Sequence, residues 1–289
     1  MGRMMNSPNR SAAGRLQRAA IALVVLAVAV PAAAQIFPDK NLEAAVRQYV
    51  FEKRNTEEPI LAEDVATIST ITARSKGIRD LTGLEHCKRL MLLELPGNEV
   101  SDLSPLADLD LLQSLTLTGN QVEDIAPLAG LKRLQYIELS NNKVQDIAPL
   151  AGLEAMNSLY MSGNQISDLS PVKGLSKLWT LDVADNRVTD LTPAGEITRL
   201  STLNVDGNAV EDLSPLAGLT SLQRLSLRNN KVKDIGTLVE MAEKDIAGDS
   251  RFARYWTVSL QGNPLSDASS NEHVPALRKY SFRIETEDE

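Results

Sequence analysis

The sequence has 289 residues and a formal net charge of −8, and 43% of its residues are hydrophobic while only 4% are aromatic. An acidic chain is a poor candidate for binding a phosphate backbone, because such binding requires clustered Lys and Arg. The single cysteine excludes a disulfide framework within one chain, and two histidines leave little for metal binding or imidazole catalysis. The composition favours a core of Leu, Ile and Val.

The N-terminal segment has the three parts of a secretory signal. Residues 1–18 are polar and basic, residues 19–30 are apolar without a break, and small residues follow Pro31 as far as Ala34. Such an apolar run spans about 18 Å as a helix, less than a hydrocarbon core of roughly 30 Å. We predict that residues 1–34 are a signal peptide cut after Ala34, with an uncleaved anchor as the alternative. Export then leads to the periplasm or the medium, with no membrane span in the mature chain.

Residues 35–66 predict a helical cap ahead of the rest of the chain. Asp39 is placed to cap the first turn of a helix. The apolar residues that follow fall on one face of that helix: Leu42, Ala45, Val46 and Val50.

Residues 67–265 contain a 22-residue repeat. Its marker asparagines are Asn98, Asn120, Asn142, Asn164, Asn186, Asn208 and Asn230. Val or Ile follows each asparagine at the second position, Asp at the fourth and usually Pro at the seventh. An alternating pair such as Leu115 and Leu117 precedes each asparagine, which predicts a short strand with one buried face. Because one repeat cannot close a core alone, successive repeats must stack and their strands form a parallel sheet.

The polar positions of the repeat also have expected structural roles. A buried asparagine has donors and an acceptor, so it can satisfy the turn backbone of its own coil and of the next one. The aspartates, from Asp80 to Asp234, are expected to accept local backbone N–H bonds, with a cation ladder as the alternative. Helical turns are expected at the prolines, with Ser104, Ser170 and Ser214 as caps.

The unit L-x-x-L-x-L-x-x-N-x-[IV]-x-D-[LI]-x-P-L-x-x-L resembles the 22-residue leucine-rich repeat of the bacterial internalins. The resemblance implies an α/β solenoid: a right-handed leucine-rich repeat rod with a parallel concave β-sheet, short 3₁₀ or helical return segments and a helical N-terminal cap. The repeats cover residues 67–265 in about nine coils. Some internalin caps bind calcium, but the carboxylates of this segment do not match well enough to carry that site over, and we predict no cofactor or metal.

The last repeats depart from the period. The interval from Asn230 to Asn263 is one and a half periods, so half a period is inserted, and the inserted stretch predicts a longer helix around residues 238–246. Residues 266–289 are expected to form a C-terminal cap with a short helix near residues 271–278. Tyr280, Phe282 and Ile284 alternate in the manner of a last strand.

The strand residues between the buried leucines are free of the core and predict the binding surface. Their composition includes neighbouring tyrosines, carboxylates and arginines, and Tyr and Arg are enriched among residues that dominate interface energy. We predict that a partner contacts Leu92, Glu94, Tyr136, Glu138, Tyr160, Asp182, Asn204, Asp206, Arg224 and Arg228. A plain solvated sheet is the alternative for any one of these residues.

The sequence therefore predicts a secreted, non-catalytic recognition module that binds a protein or peptide partner and no nucleic acid. We expect no enzyme activity, because the two histidines, His86 and His273, belong to opposite ends of the stack. We also expect a monomer. Cys87 occupies a slot that is leucine in other repeats, so we expect a buried, unreactive thiol. The main alternative is a structural or self-assembling component of the cell envelope, and a weaker one is an enzyme inhibitor or phosphatase regulator.

Overall fold

A computed structural model describes residues 35–281 and 283–286, and the predicted signal peptide lies outside the described residues. Ten short strands form one parallel sheet in which the order of the strands follows the order of the chain. The strands are β1 (Thr70–Thr72), β2 (Leu92–Glu94), β3 (Ser114–Thr116), β4 (Tyr136–Glu138), β5 (Ser158–Tyr160), β6 (Thr180–Asp182), β7 (Thr202–Asn204), β8 (Arg224–Ser226), β9 (Thr257–Ser259) and β10 (Arg283–Glu285).

The strands pair in register with the repeat. Leu93 of β2 lies opposite Leu115 of β3, and Leu115 in turn lies opposite Ile137 of β4. The central residue of every strand is buried and joins a single hydrophobic cluster that runs through all the coils. The stacked coils therefore share one Leu, Ile and Val core, as the 22-residue period predicts, and the fold is an α/β leucine-rich repeat solenoid.

The repeated asparagines join neighbouring coils. Nδ2 of Asn120 donates to the carbonyl oxygens of Leu117 in its own coil and Leu95 in the preceding coil, both at 2.9 Å. Oδ1 of Asn120 accepts from the backbone N–H of Val100 at 3.0 Å, also in the preceding coil. The expectation of a bridge between coils is confirmed, but the second coil is the preceding one and not the following one.

The residue before each of these asparagines has left-handed backbone geometry. Gly119 has a φ of 65° and Gly163 a φ of 66°, whereas Asn141 and Asp185 adopt 58° and 51° at the equivalent positions. Gly, Asn and Asp tolerate this region best, because larger side chains clash there with the backbone. The turn before each of these asparagines therefore requires Gly, Asn or Asp at the position with positive φ.

The return segments are mostly single 3₁₀ turns. They are Leu84–His86, Ser104–Leu106, Ala126–Leu128, Ala148–Leu150, Ser170–Gly174, Ser214–Gly218 and Ala253–Tyr255. The repeated aspartates introduce these turns: Oδ1 of Asp102 accepts from the N–H of Ser104 and Oδ1 of Asp124 from the N–H of Ala126, each at 2.8 Å. The expected role of the aspartates is confirmed.

The serines before the prolines are not caps. Ser104 and Ser214 lie inside their turns, and their hydroxyl groups donate to Asp102 and Asp212. The carboxylate at the second position before each serine is a stronger acceptor than a hydroxyl group, so it takes the capping role.

Helix α1 (Lys40–Arg47) begins at Asp39, whose carboxylate accepts from the N–H groups of Asn41 and Leu42. Leu42 and Val46 are fully buried in the common core. Helix α2 (Ala62–Val65) is a single turn that buries Val65. The predicted capping residue and apolar face of the first helix are thus present.

The insertion before the last repeat is helical, as predicted. Helix α3 (Thr192–Gly195) is a short return helix, and α4 (Gly236–Ala247) contains the inserted residues. The chain then forms a π-helical turn at Ser269–His273, helix α5 (Val274–Tyr280) and β10. The alternation expected from Tyr280 is wrong at that residue, because Tyr280 ends α5, and Phe282 lies outside the described residues.

Cys87 is fully buried among the leucines of the core. Burial, with a smaller contribution from the charge of Glu85, raises the pKa of the thiol to about 12. The expectation of a buried thiol is confirmed, and its protonated state at neutral pH makes it a poor nucleophile.

Candidate functional site

The parallel register arranges the outward strand residues in columns, which we call the sheet face. The central column contains Thr72, Glu94, Thr116, Glu138, Tyr160, Asp182, Asn204, Ser226 and Ser259. The column before it contains Leu92, Tyr136 and Arg224. Asp206 and Arg228 follow the strands. All ten predicted contact residues are half-buried or exposed, so the structure places each of them where a partner can reach it.

Two tyrosines and three carboxylates form the centre of the sheet face. We call these residues the acidic tyrosine patch: Glu94, Tyr136, Glu138, Tyr160 and Asp182. The rings of Tyr136 and Tyr160 are 5.5 Å apart between centroids and tilted by 44°. Burial, together with the charges of Glu138 and Glu94, raises the pKa of the Tyr136 phenol. The phenol therefore stays protonated and can donate a hydrogen bond.

The carboxylates of the patch are held by the sheet. Oε1 of Glu138 accepts from the N–H of Ser140 at 2.9 Å. Asp182 accepts from Nδ2 of Asn204 at 3.0 Å, from the hydroxyl of Ser162 and from the N–H of Ala184. A carboxylate with several fixed donors is pre-organised, so a partner does not have to order it on binding.

Asp206 lies two residues after the end of β7. Its Oδ1 accepts from the N–H of Arg228 at 2.6 Å, and burial raises the pKa of its carboxyl group. The N–H of Asp206 in turn donates to Oδ1 of Asn204 at 3.1 Å. These two predicted contact residues therefore also hold the backbone where β7 and β8 end.

The two predicted arginines differ in their environment. Nη2 of Arg228 forms an ion pair with Glu285 of β10 at 2.7 Å, and its Nε donates to Gln261. Arg224 is exposed on β8. The guanidinium of Arg228 is therefore already engaged within the chain, which the repeat pattern alone did not reveal because Glu285 lies 57 residues away.

The structure also brings together a group of residues that the sequence pattern missed. A hollow of about 470 Å³ is lined by Tyr136 and Trp179, by the cationic Lys177 and Arg199, and by the amides Gln135 and Asn157. We call it the tryptophan groove. Trp179 is 58% exposed and directly precedes β6. The equivalent residues before β4 and β5 are Gln135 and Asn157. A large aromatic residue in a polar column was the available signal.

The described residues contain no group of three His, Cys, Asp or Glu side chains placed to hold a metal ion. Within the same part of the chain, no helix has both the length and the apolar character needed to cross a bilayer. His86 lies in the first return turn and His273 in the C-terminal segment.

Comparisons with known proteins agree with this architecture. Residues 132–174 and 198–240 match the family described as leucine-rich repeats (2 copies). No curated protein sequence matches at a significant level. A leucine-rich repeat protein of Leptospira interrogans is 22% identical over 70% of this chain and 56% of that one, with a TM-score of 0.60, which shows the fold alone.

Two internalins are more similar in sequence. Internalin F of Listeria monocytogenes is 29% identical over 88% of this chain and 77% of that one, with a TM-score of 0.75. Internalin C2 of the same organism is 33% identical over 78% of this chain and 94% of that one, with a TM-score of 0.70. Together with the asparagine-bridged coils and the single parallel sheet, this similarity shows that the chain belongs to the internalin-like family of leucine-rich repeat proteins.

Proposed function

We propose that this chain is an exported recognition protein that binds a protein or peptide partner on its sheet face and catalyses no reaction. Leucine-rich repeat proteins generally mediate protein–protein recognition, and membership of the internalin-like family supports the same class of function here.

The acidic tyrosine patch is the observation that carries the proposal. It combines two neighbouring aromatic rings with three carboxylates on a rigid sheet. Rigid tyrosines provide large contact area at low entropic cost. The carboxylates suit Lys or Arg side chains, so the partner presents basic groups to this part of the sheet face.

Export is supported by the sequence of residues 1–34, with its basic start, apolar run and small residues at the cut. We assign residues 35–66 to an N-terminal cap, residues 67–265 to the repeats and residues 266–289 to a C-terminal cap. The net charge of −8 argues against nucleic acid as a partner.

The function is tested by replacing Tyr136 and Tyr160 together with alanine in the exported full chain. Partners are captured by cross-linking in the extracellular fluid of the producer and are quantified by mass spectrometry. We expect recovery of the specific partner to fall about tenfold, since buried interface aromatics dominate binding energy. Tyr255→Ala is the matched control, because Tyr255 is 64% exposed and lies outside the sheet face. Equal recovery with the double variant and the wild type would exclude the patch as the binding surface.

A further inference from the structure

The tryptophan groove is a binding feature distinct from the acidic tyrosine patch. Trp179 exposes 58% of its surface although its backbone is fixed: its N–H donates to Asn157, and its carbonyl accepts from the N–H groups of Ser201 and Thr202. Tryptophan is enriched among the residues that dominate interface energy, and a tryptophan on a fixed backbone loses little conformational entropy on binding.

The charge of the groove is opposite to that of the acidic tyrosine patch beside it. Lys177 and Arg199 are exposed and line the groove, and neither has a carboxylate partner among the described residues. The neighbouring patch contributes the carboxylates Glu94, Glu138 and Asp182. Tyr136 belongs to both features, so the two charge signs meet within a few strand spacings of about 4.8 Å.

We propose that the tryptophan groove binds a partner segment in which an apolar side chain lies next to a carboxylate, while a nearby basic residue of the same segment contacts the acidic tyrosine patch. This inference rests on the proposed function and specifies the chemistry of its partner. The apolar side chain packs on Trp179, and the carboxylate pairs with Lys177 and Arg199.

Charge complementarity favours a peptide segment over an anionic polymer. A polysaccharide or nucleic acid with one sign of charge would gain from Lys177 and Arg199 but would be repelled by the adjacent carboxylates and by the net charge of −8. A peptide can place both signs within a few residues. The volume of about 470 Å³ suits one or two side chains.

The experiment selects binders to the exported full chain from a phage-displayed library of random dodecapeptides. We expect enrichment of peptides with an apolar residue beside Asp or Glu and with Lys or Arg close by. Trp179→Ala and the double reversal Lys177→Glu with Arg199→Glu are each expected to weaken binding of these peptides about tenfold. The reversal Lys143→Glu with Lys231→Glu makes the same change in charge at exposed positions outside the groove and is expected to leave affinity unchanged.

Tryptophan fluorescence gives a local readout without any variant. The chain has two tryptophans, and Trp256 is fully buried whereas Trp179 is exposed. Peptide binding in the groove is expected to shift the emission of Trp179 to shorter wavelength and to protect it from acrylamide. Trp179→Ala removes the shift.

The outcomes separate this inference from the proposed function. If Tyr160→Ala with Glu138→Gln weakens peptide binding, but Trp179→Ala does not and the emission is unchanged, the groove is excluded and the sheet face remains the binding surface. If neither change affects peptide binding, the selected peptides bind elsewhere and the groove is excluded, while partner capture with the Tyr136 and Tyr160 double variant decides the proposed function. Absence of any Trp179-dependent peptide overturns the inference, as does binding of polygalacturonate that depends on Trp179, which would assign the groove to an anionic polysaccharide.

Discussion

The side chain of each repeated asparagine fixes the position of its own coil against the preceding coil. Each amide fills the space under a left-handed turn and binds backbone groups of two successive coils. Buried backbone groups of this kind have no water to replace a lost partner. The asparagine column is therefore a continuous hydrogen-bonded link between coils as well as a sequence marker.

Replacement of Asn120 by alanine tests this link. The change leaves the N–H of Val100 and the carbonyls of Leu95 and Leu117 with fewer partners, so we expect the free energy of unfolding to fall by about 2–4 kcal/mol. Urea denaturation followed by circular dichroism measures the loss. The neighbouring change Gln121→Ala is the control, because that side chain is exposed, and an equal loss in both variants would contradict the role given to the asparagine.

Helix α4 and its connection to β9 interrupt the 22-residue period, and one buried carboxylate holds this connection. Asp245 is 7% exposed, and its carboxylate accepts from the N–H groups of Arg251, Phe252 and Ala253 at 2.9–3.1 Å. These contacts turn the chain from the inserted helix back into the sheet, next to the edge-to-face pair of Phe252 and Trp256. The insertion is thus closed by one buried carboxylate.

We expect Asp245→Ala to destabilise this element more than the rest of the solenoid. Three N–H groups lose their acceptor, so the protein should lose about 2–4 kcal/mol of stability, and amide hydrogen exchange should rise first in residues 248–256. Mass spectrometry of peptic fragments locates the change. Asp249→Ala removes a nearby exposed carboxylate and should leave exchange as in the wild type; uniform exchange across all coils in Asp245→Ala would refute a local role.

The last strand is fixed by an ion pair whose contribution depends on pH. The hydrogen bond from Arg228, with those from Ser259 and Gln261, lowers the pKa of Glu285 from 4.5 to about 2. A lowered pKa stabilises the fold fully above pH 4.5, and this contribution is lost as the pH falls from 4.5 towards 2.

The variant Glu285→Gln is therefore expected to be less stable than the wild type by about 1–2 kcal/mol at neutral pH, after allowance for the solvent around Arg228. The difference should shrink as the pH falls below 4.5 and be mostly lost near pH 2, where about half of the wild-type Glu285 carboxyl groups are protonated. Urea midpoints across this range provide the measurement, and Glu272→Gln, at an exposed position, serves as the reference. A gap between variant and wild type that does not change with pH would rule out the ion pair as its cause.

The sequence predicted the elements that follow the period, as well as α1 and the inserted helix, which have local signals, and it missed contacts between distant residues that no period relates. Leu115 and Asn120 recur with the 22-residue period, so the sheet register, the buried column and the bridging amides follow from spacing alone. Arg228 meets Glu285 through the C-terminal strand, and no periodic signal relates these two residues. The turns were assigned to Ser104 and Ser214 because propensities favour serine caps, although the competing carboxylate just before each serine decides the geometry.

At the scale of the whole molecule, the two ends of the sheet matter most. A parallel sheet with open edges can pair with other copies. At the β1 edge, the hydroxyl of Tyr49 accepts from the N–H of Thr72 at 2.9 Å. At the β10 edge, Arg283 and Glu285 place opposite charges on the last strand. Both edges carry features that oppose strand addition, which supports a recognition protein over a self-assembling envelope component.

We expect the protein without residues 1–34 to stay monomeric over a wide range of concentration, as measured by light scattering after size exclusion. Tyr49→Ala uncovers backbone groups of β1 and is expected to shift part of the protein to dimers, whereas Tyr255→Ala is not. Open-ended oligomers of the wild type would instead favour the envelope function.

The location of Cys87 has a practical consequence. Because the native sulfur is enclosed by the core and stays protonated, maleimides and other thiol-directed linkers will not react with it under native conditions. A cysteine introduced at Ser158, beside both the patch and the groove, would then be the sole attachment point for a dye or a cross-linker. The wild-type background thus already allows a partner to be trapped from a chosen position on the sheet.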